Sequence, residues 1–195
     1  MAQNGAESRR RDVLLERAGQ LFAARGFRGV SVHEIGAAAG ISGPGMYRHF
    51  ASKEALLGAV LVSISERLLE GGRLRRAAAP SPAEALTALV AFHADFALDH
   101  PELITVQDRE FAHLPDGDRR RVRQLQRAYV EIWVEALRAS APELSPDAAR
   151  AAVLATFGLL NSTPHSASRV DLDRPQLAAL LRRVALGALH AAGAG

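Results

Sequence analysis

The stretch from Val30 to Val60, VSVHEIGAAAGISGPGMYRHFASKEALLGAV, decides how the rest of the chain is read. Ser31-Val32-His33-Glu34 has the form of a capping box: the serine hydroxyl accepts the amide three residues on while the glutamate reaches back. A helix starts there, carries Ile35, Ala38 and Ala39 on one side and runs to Gly40, whose tolerance of positive φ suits a tight turn before Ile41. Ser42 caps a further helix whose first turn is Gly43-Pro44-Gly45, where the N–H that proline lacks has no partner to lose. That helix is expected to end near His49. Ser52 then caps a long apolar-striped helix from Lys53 to about Arg76. Upstream, residues 8 to 25 set Leu14, Ala18, Leu21 and Phe22 at helical spacings, and Gly26-Phe27 reads as a left-handed stop with a hydrophobic clasp. Two short helices meeting at a glycine turn, with a third across them, form a helix-turn-helix unit.

Outward from this unit, the chain continues to 195 residues, 48% of them apolar, with no cysteine. Such a length builds one large domain or two small ones without covalent staples. The missing cysteines exclude disulfides, thiolate metal sites and cysteine nucleophiles, and suit a reducing cytoplasm. Apolar runs of about ten residues fall short of the about 20 that a spanning helix needs, and no secretory signal pattern is present. Proline-bearing caps divide the remainder into helices. They open at Ser81-Pro82-Ala83-Glu84 (to His100), at Pro101 (through Phe111), after Pro115 (through Leu137), at Ser145-Pro146 (to Asn161, before Pro164) and at about residue 174 (to 191). No β alternation competes, so the expected fold is all-α. A three-helix helix-turn-helix head over 1–53 is joined, through a continuous helix, to a helical body over 54–195.

Charge is uneven. Residues 1–53 hold eight basic against four acidic residues; residues 54–195 hold 16 against 17. A basic head on a near-neutral body suits a polyanion partner, although a solvated basic terminus reads the same way from charge alone. Gly26-Phe27, Ile35, Ala39-Gly40-Ile41-Ser42, Tyr47, Phe50 and Ser52-Lys53-Glu54-Ala55-Leu56 resemble, in order and spacing, the DNA-binding region of the TetR family of transcriptional regulators. Gly36 departs from it, since the family usually has alanine there. The resemblance covers about the first 60 residues; the body is similar in length and helix rhythm only.

The resemblance implies a homodimer on double-stranded operator DNA. Tyr47 would donate to a phosphate oxygen, or pack against the first helix as a partly buried aromatic. Lys53, the chain's single lysine, stands at a helix N-terminus, where its ammonium and free backbone amides can clasp one phosphate, or it stays an ordinary solvated lysine. Ser31 and Ser42 are cap residues at the interface. Base reading falls to Ser42, Gly43, Pro44, Gly45, Met46, Arg48, His49 and His33, with the glycines allowing close backbone approach or merely shaping the turn, and Arg48 facing bases, phosphate or solvent. Arg9, Arg10, Arg11 and Arg28 add phosphate contacts or stay solvated. Phe22, Phe27, Ile35, Ile41 and Phe50 are expected to form the core of the head.

For the body, the resemblance implies a small-molecule effector pocket and a dimer interface made by the last two helices. His93, Gln107, Phe111, Tyr129, Trp133 and Asn161 are the candidate pocket residues: polar groups on apolar faces, the composition of a small-molecule site, though a lone histidine there also serves as a satisfied core group. Ser162, Thr163, Pro164 and His165 continue that polar run. The effector is expected to be lipophilic, its tilting of the helix from Lys53 altering the spacing of two heads on a palindromic operator. No cofactor, metal or membrane partner is expected. An enzyme is disfavoured: His93, His100, His113, Asp95, Asp99, Asp108 and Glu110 cluster in sequence but match no metal or acid–base motif. A protein-interaction or metal-binding helical bundle without DNA binding is the alternative.

Overall fold

The computed structural model describes residues 2–163 and 167–193, all α-helix, 3₁₀ turn or connection among the described residues. The helices are α1 (Ala2–Arg25), α2 (Val32–Ala38), α3 (Gly43–Met46), α4 (Lys53–Ala78), α5 (Pro82–Asp99), α6 (Pro101–Glu110), α7 (Asp116–Ser140), α8 (Pro146–Asn161) and α9 (Arg174–Gly193), with 3₁₀ turns at Phe111–His113 and Ala167–Arg169. Pro164 and His165 lie outside the described residues.

The serines begin helices for the reason their spacing suggests. Ser31 accepts from the Glu34 amide at 3.2 Å while Glu34 accepts from the Ser31 amide at 2.8 Å, and Ser42, Ser81 and Ser145 each accept from the amide three residues on. The α2 end is a Schellman turn. Gly40 stands at φ +70°, and Ile41 N–H donates to Gly36 O at 2.9 Å, the bond that only a left-handed residue between them permits.

Three boundaries differ from the sequence expectation. α1 reaches back to Ala2, because the preceding residues hold no proline to stop it. α3 stops at Met46 instead of near His49: the amides of Tyr47, Arg48 and His49 donate to carbonyls three residues back, a 3₁₀ tightening that swings Phe50 into the core. α6 stops at Glu110, and Phe111 lies in the 3₁₀ turn that follows.

The chain forms two compact units: residues 1–64 with 102–123, and residues 65–101 with 124–195. In the first unit α6 and the start of α7 fold with the first three helices and the start of α4. Within the first unit, Leu14, Ala18, Phe22, Phe27, Ile35, Met46, Phe50 and Leu57 are buried, whereas Ile41 is only half-buried. Gly19 lets Leu103 of α6 lie against α1: a β-carbon at Gly19 would stand 3.0 Å from that leucine. Within the second unit, α5, α8 and α9 pack on one another. Arg174 holds Asp99 with two hydrogen bonds of 2.7 Å, and Arg182 reaches Asp95 at 2.6 Å, tying α9 to α5. Asp95 and Asp99, grouped in sequence with the histidines, are thus engaged with arginines.

Candidate functional site

In the first unit the sequence places a short two-faced helix. Met46 is fully buried, which removes it from the base-reading set expected from sequence; Ser42, Pro44, Tyr47 and Arg48 are exposed, Tyr47 to 55%. His33 on α2 is exposed, Ser31 is exposed with its hydroxyl committed to Glu34, and Gly45 and His49 are half-buried. Gly45 has a local reason: a β-carbon there would stand 3.1 Å from Ser42 Oγ, crowding the cap that starts the helix. Gly43 opens α3. A one-turn helix held by its cap on one side and by Met46 on the other can present its outer face rigidly, as a base-reading element must.

Electrostatics support the frame. The Ser31 amide and hydroxyl, with Arg25 at 2.8 Å, hold the Glu34 carboxyl down to about 2. Glu34 therefore stays ionised and keeps its bonds at any ordinary pH. Lys53 begins α4, but its ammonium does more than face outward. It donates to the carbonyls of Phe27 and Val30, each at 2.9 Å, and sits 4.3 Å from the centroid of the Phe27 ring. With three donors, an ammonium so held keeps one beyond these two bonds. Sequence reasoning missed this bracing because it joins residues 23 and 26 positions apart.

In the second unit four of the six candidate pocket residues come together. His93 Nε2 and Asn161 Oδ1 lie 2.9 Å apart, and His93 Nδ1 and the Tyr129 hydroxyl 3.3 Å apart. With Asn161 Oδ1 accepting, Nε2 carries the hydrogen and Tyr129 donates to Nδ1. The His93 ring stacks on Phe157 at 4.8 Å and meets Trp133 edge-on at 6.0 Å. Burial pushes the His93 pKa down to about 4, against the pull of Asn161, and pushes that of Tyr129 up. The imidazole is accordingly neutral at pH 7. Trp133 is wholly buried, and its Nε1 has no hydrogen-bond partner among the described residues. Phe157 was not among the residues singled out for the pocket, since on an alanine-rich helix it reads as core. Gln107, half-buried on α6, and Phe111, with the Arg123 guanidinium 5.4 Å over its ring, belong to the first unit and not to this cluster.

Among the described residues no group of three His, Cys, Asp or Glu side chains could hold a metal ion, and no helix is long and apolar enough to cross a membrane.

Comparison with known proteins agrees with this anatomy. Residues 14–60 match the family model for bacterial regulatory proteins of the tetR family, and residues 79–165 match the tetracyclin repressor-like C-terminal domain. The chain is 35% identical over 135 residues to the HTH-type transcriptional repressor KstR2 of Mycolicibacterium smegmatis, a match covering 66% of this chain and 63% of that protein. It thus spans a little under two thirds of that relative's length. It is 31% identical over 144 residues to KstR2 of Mycobacterium tuberculosis, covering 68% of this chain and 67% of that protein. In structure it resembles AibR in complex with isovaleryl coenzyme A and operator DNA, with a TM-score of 0.76 at 24% identity over 90% of this chain and 97% of that one. The chain belongs to the TetR family of bacterial transcriptional regulators. Its relatives are regulators, not enzymes.

Proposed function

We propose that this chain is a repressor that binds a palindromic operator as a homodimer and is released by a small lipophilic effector. The observation that carries the reading is the outward face of α3, with Ser42, Pro44, Tyr47 and Arg48 exposed on a helix that Met46 anchors. Tyr47 and Lys53 hold phosphates; Pro44, Arg48, His49 and His33 meet base edges; the glycines let the backbone approach. Two such faces, set about 34 to 36 Å apart by a two-fold axis, would match successive major grooves.

The second copy docks on α8 and α9, which present Leu154, Leu180 and Val184 to solvent. Gly158 and Gly187 have open space where a side chain would stand, which suits close approach of another helix. The effector enters the second unit at His93, Tyr129, Trp133 and Asn161. Aromatic rings and a neutral imidazole favour an uncharged, apolar molecule. α4 runs unbroken from Lys53 to Ala78, so a shift of its body end would be felt at Lys53.

Selection of bound duplexes from a random pool tests the reading. A palindromic site is expected, with affinity reduced at least tenfold by Tyr47→Phe together with Lys53→Ala and falling steeply with salt. Recovery of no preferred duplex overturns it.

A further inference from the structure

Glu110 ends α6 between exposed Arg109 and half-buried Phe111, yet is itself only 6% exposed. A carboxylate taken from water needs partners, and one of them lies at the joint of α1 and α2. Its Oε1 accepts the Phe27 amide at 3.0 Å, across 83 residues of sequence, and its Oε2 lies 3.1 Å from His113 Nδ1. The Phe27 amide has no place in the α1 ladder. Gly26 turns the chain at φ +72° and uses its own amide on Phe22 O, so Phe27 N–H emerges buried beyond the helix end. A β-carbon at Gly26 would stand 3.3 Å from Glu110 Oε1, so the glycine serves both the turn and the approach of the carboxylate.

Phe27 is gripped at every other point too. Its ring stacks on His113 at 5.4 Å, the Lys53 ammonium lies 4.3 Å from its centroid, and its carbonyl accepts from that ammonium at 2.9 Å. One residue therefore links the end of α6, through amide, ring and carbonyl, to the first residue of α4.

We propose that Glu110 is a positioning residue for DNA binding: through Phe27 it fixes the Lys53 ammonium at the start of α4, so that the end of α6 sets how well the head grips phosphate. This rests on the operator reading above. Lys53 has four rotatable carbon–carbon bonds, and a brace on two carbonyls is what keeps its charge in one place. If Phe27 slides, both carbonyl and ring move away from the ammonium together. Movement of α6 would then reach the phosphate contact without any displacement of α3.

The test uses the full chain and the duplex that the wild type selects from a random pool. Glu110→Ala removes the acceptor, Glu110→Asp keeps the charge but draws it back by one methylene, and Glu110→Gln keeps an acceptor oxygen without the charge. Expected are losses of affinity of about tenfold for Glu110→Ala and several-fold for Glu110→Asp, with Glu110→Gln within about twofold of wild type. In a Lys53→Ala background, Glu110→Asp should cost almost nothing further, because its effect runs through the missing ammonium. If Glu110→Ala does not fold, the Asp and Gln variants and the double-mutant cycle decide. Full additivity with Lys53→Ala, or Glu110→Asp binding as well as wild type, overturns the proposal alone. A wild-type chain that selects no duplex overturns the operator reading and this proposal with it.

Discussion

Acid should destabilise the second unit through His93, in a window the structure defines. The imidazole is 4% exposed, and its pKa falls from the ordinary 6.5 to about 4 because burial penalises the cation more than Asn161 favours it. Above about pH 6.5 the ring is neutral folded and unfolded, and contributes no pH dependence. As pH falls below that value the unfolded chain takes up a proton that the folded chain refuses, so stability declines until about pH 4, where both states are protonated. The full difference is worth about 3 kcal/mol, of which about 2 kcal/mol is lost between about pH 7.5 and about pH 5. Glu34, held down to about 2, adds a loss of the same sign, but only as pH drops below the ordinary carboxylate range.

Trp133 is the chain's single tryptophan and its ring centroid lies 6.0 Å from that of His93, so its fluorescence reports this unit directly. Urea unfolding at fixed protein concentration should show the midpoint about 1 M lower at about pH 5 than at about pH 7.5, for a slope of about 2 kcal/mol/M. His93→Gln can still hydrogen-bond to Asn161 but does not titrate, and should flatten the difference. A wild-type midpoint unmoved over this interval, or an equal fall in His93→Gln, would refute the assignment of the acid sensitivity to a buried neutral imidazole.

Other outcomes follow from packing. Gly72→Ala places a β-carbon 2.6 Å from Tyr129 Cε2, in a ring stacked on Phe157 and bonded to His93; calorimetry should show a net loss of about 1–2 kcal/mol even after the gain in helix propensity. Leu154→Glu and Val184→Glu alter side chains that are 51% and 47% exposed, so folding should change by less than about 0.5 kcal/mol while sedimentation velocity shows loss of the dimer. A variant that stays dimeric removes the proposed α8–α9 interface. Ser42→Ala deletes the α3 cap and should cost about 1 kcal/mol at that turn, read as weaker duplex binding with unchanged Trp133 unfolding.

The legible features and the missed ones divide by the range of the interactions that cause them. Ser31 with Glu34, Ser81 with Glu84 and Gly40 after Ala39 act within one turn of chain, so their residue types alone fix helix starts and stops, and the structure repeats them within a residue or two. α3 is harder. Four residues make a single turn, too few for an apolar period, and nothing in GPGM says that the methionine faces inward while Pro44 faces out. The family resemblance named Tyr47 and Lys53 but not the Phe27 and Val30 carbonyls that hold the lysine.

Glu110 was the least readable, and the reason is general. In sequence it stands beside Asp108, Arg109 and His113, and charged residues in such company belong on a solvated face. What buries it is an amide 83 residues earlier, freed by Gly26 and otherwise left without an acceptor. The signal was present in another form: where the amide after a left-handed glycine does not return to the helix, and a large apolar residue such as Phe27 carries it into the core, some distant acceptor must supply the bond. A left-handed stop whose following buried amide does not bond back into the last turn therefore implies an acceptor elsewhere in the chain. At Gly40 no distant group is needed, because Ile41 donates back to Gly36 O within the same turn. At Gly26 the Phe27 amide donates instead to Glu110, and that difference makes the first turn a joint between elements and the second only an end.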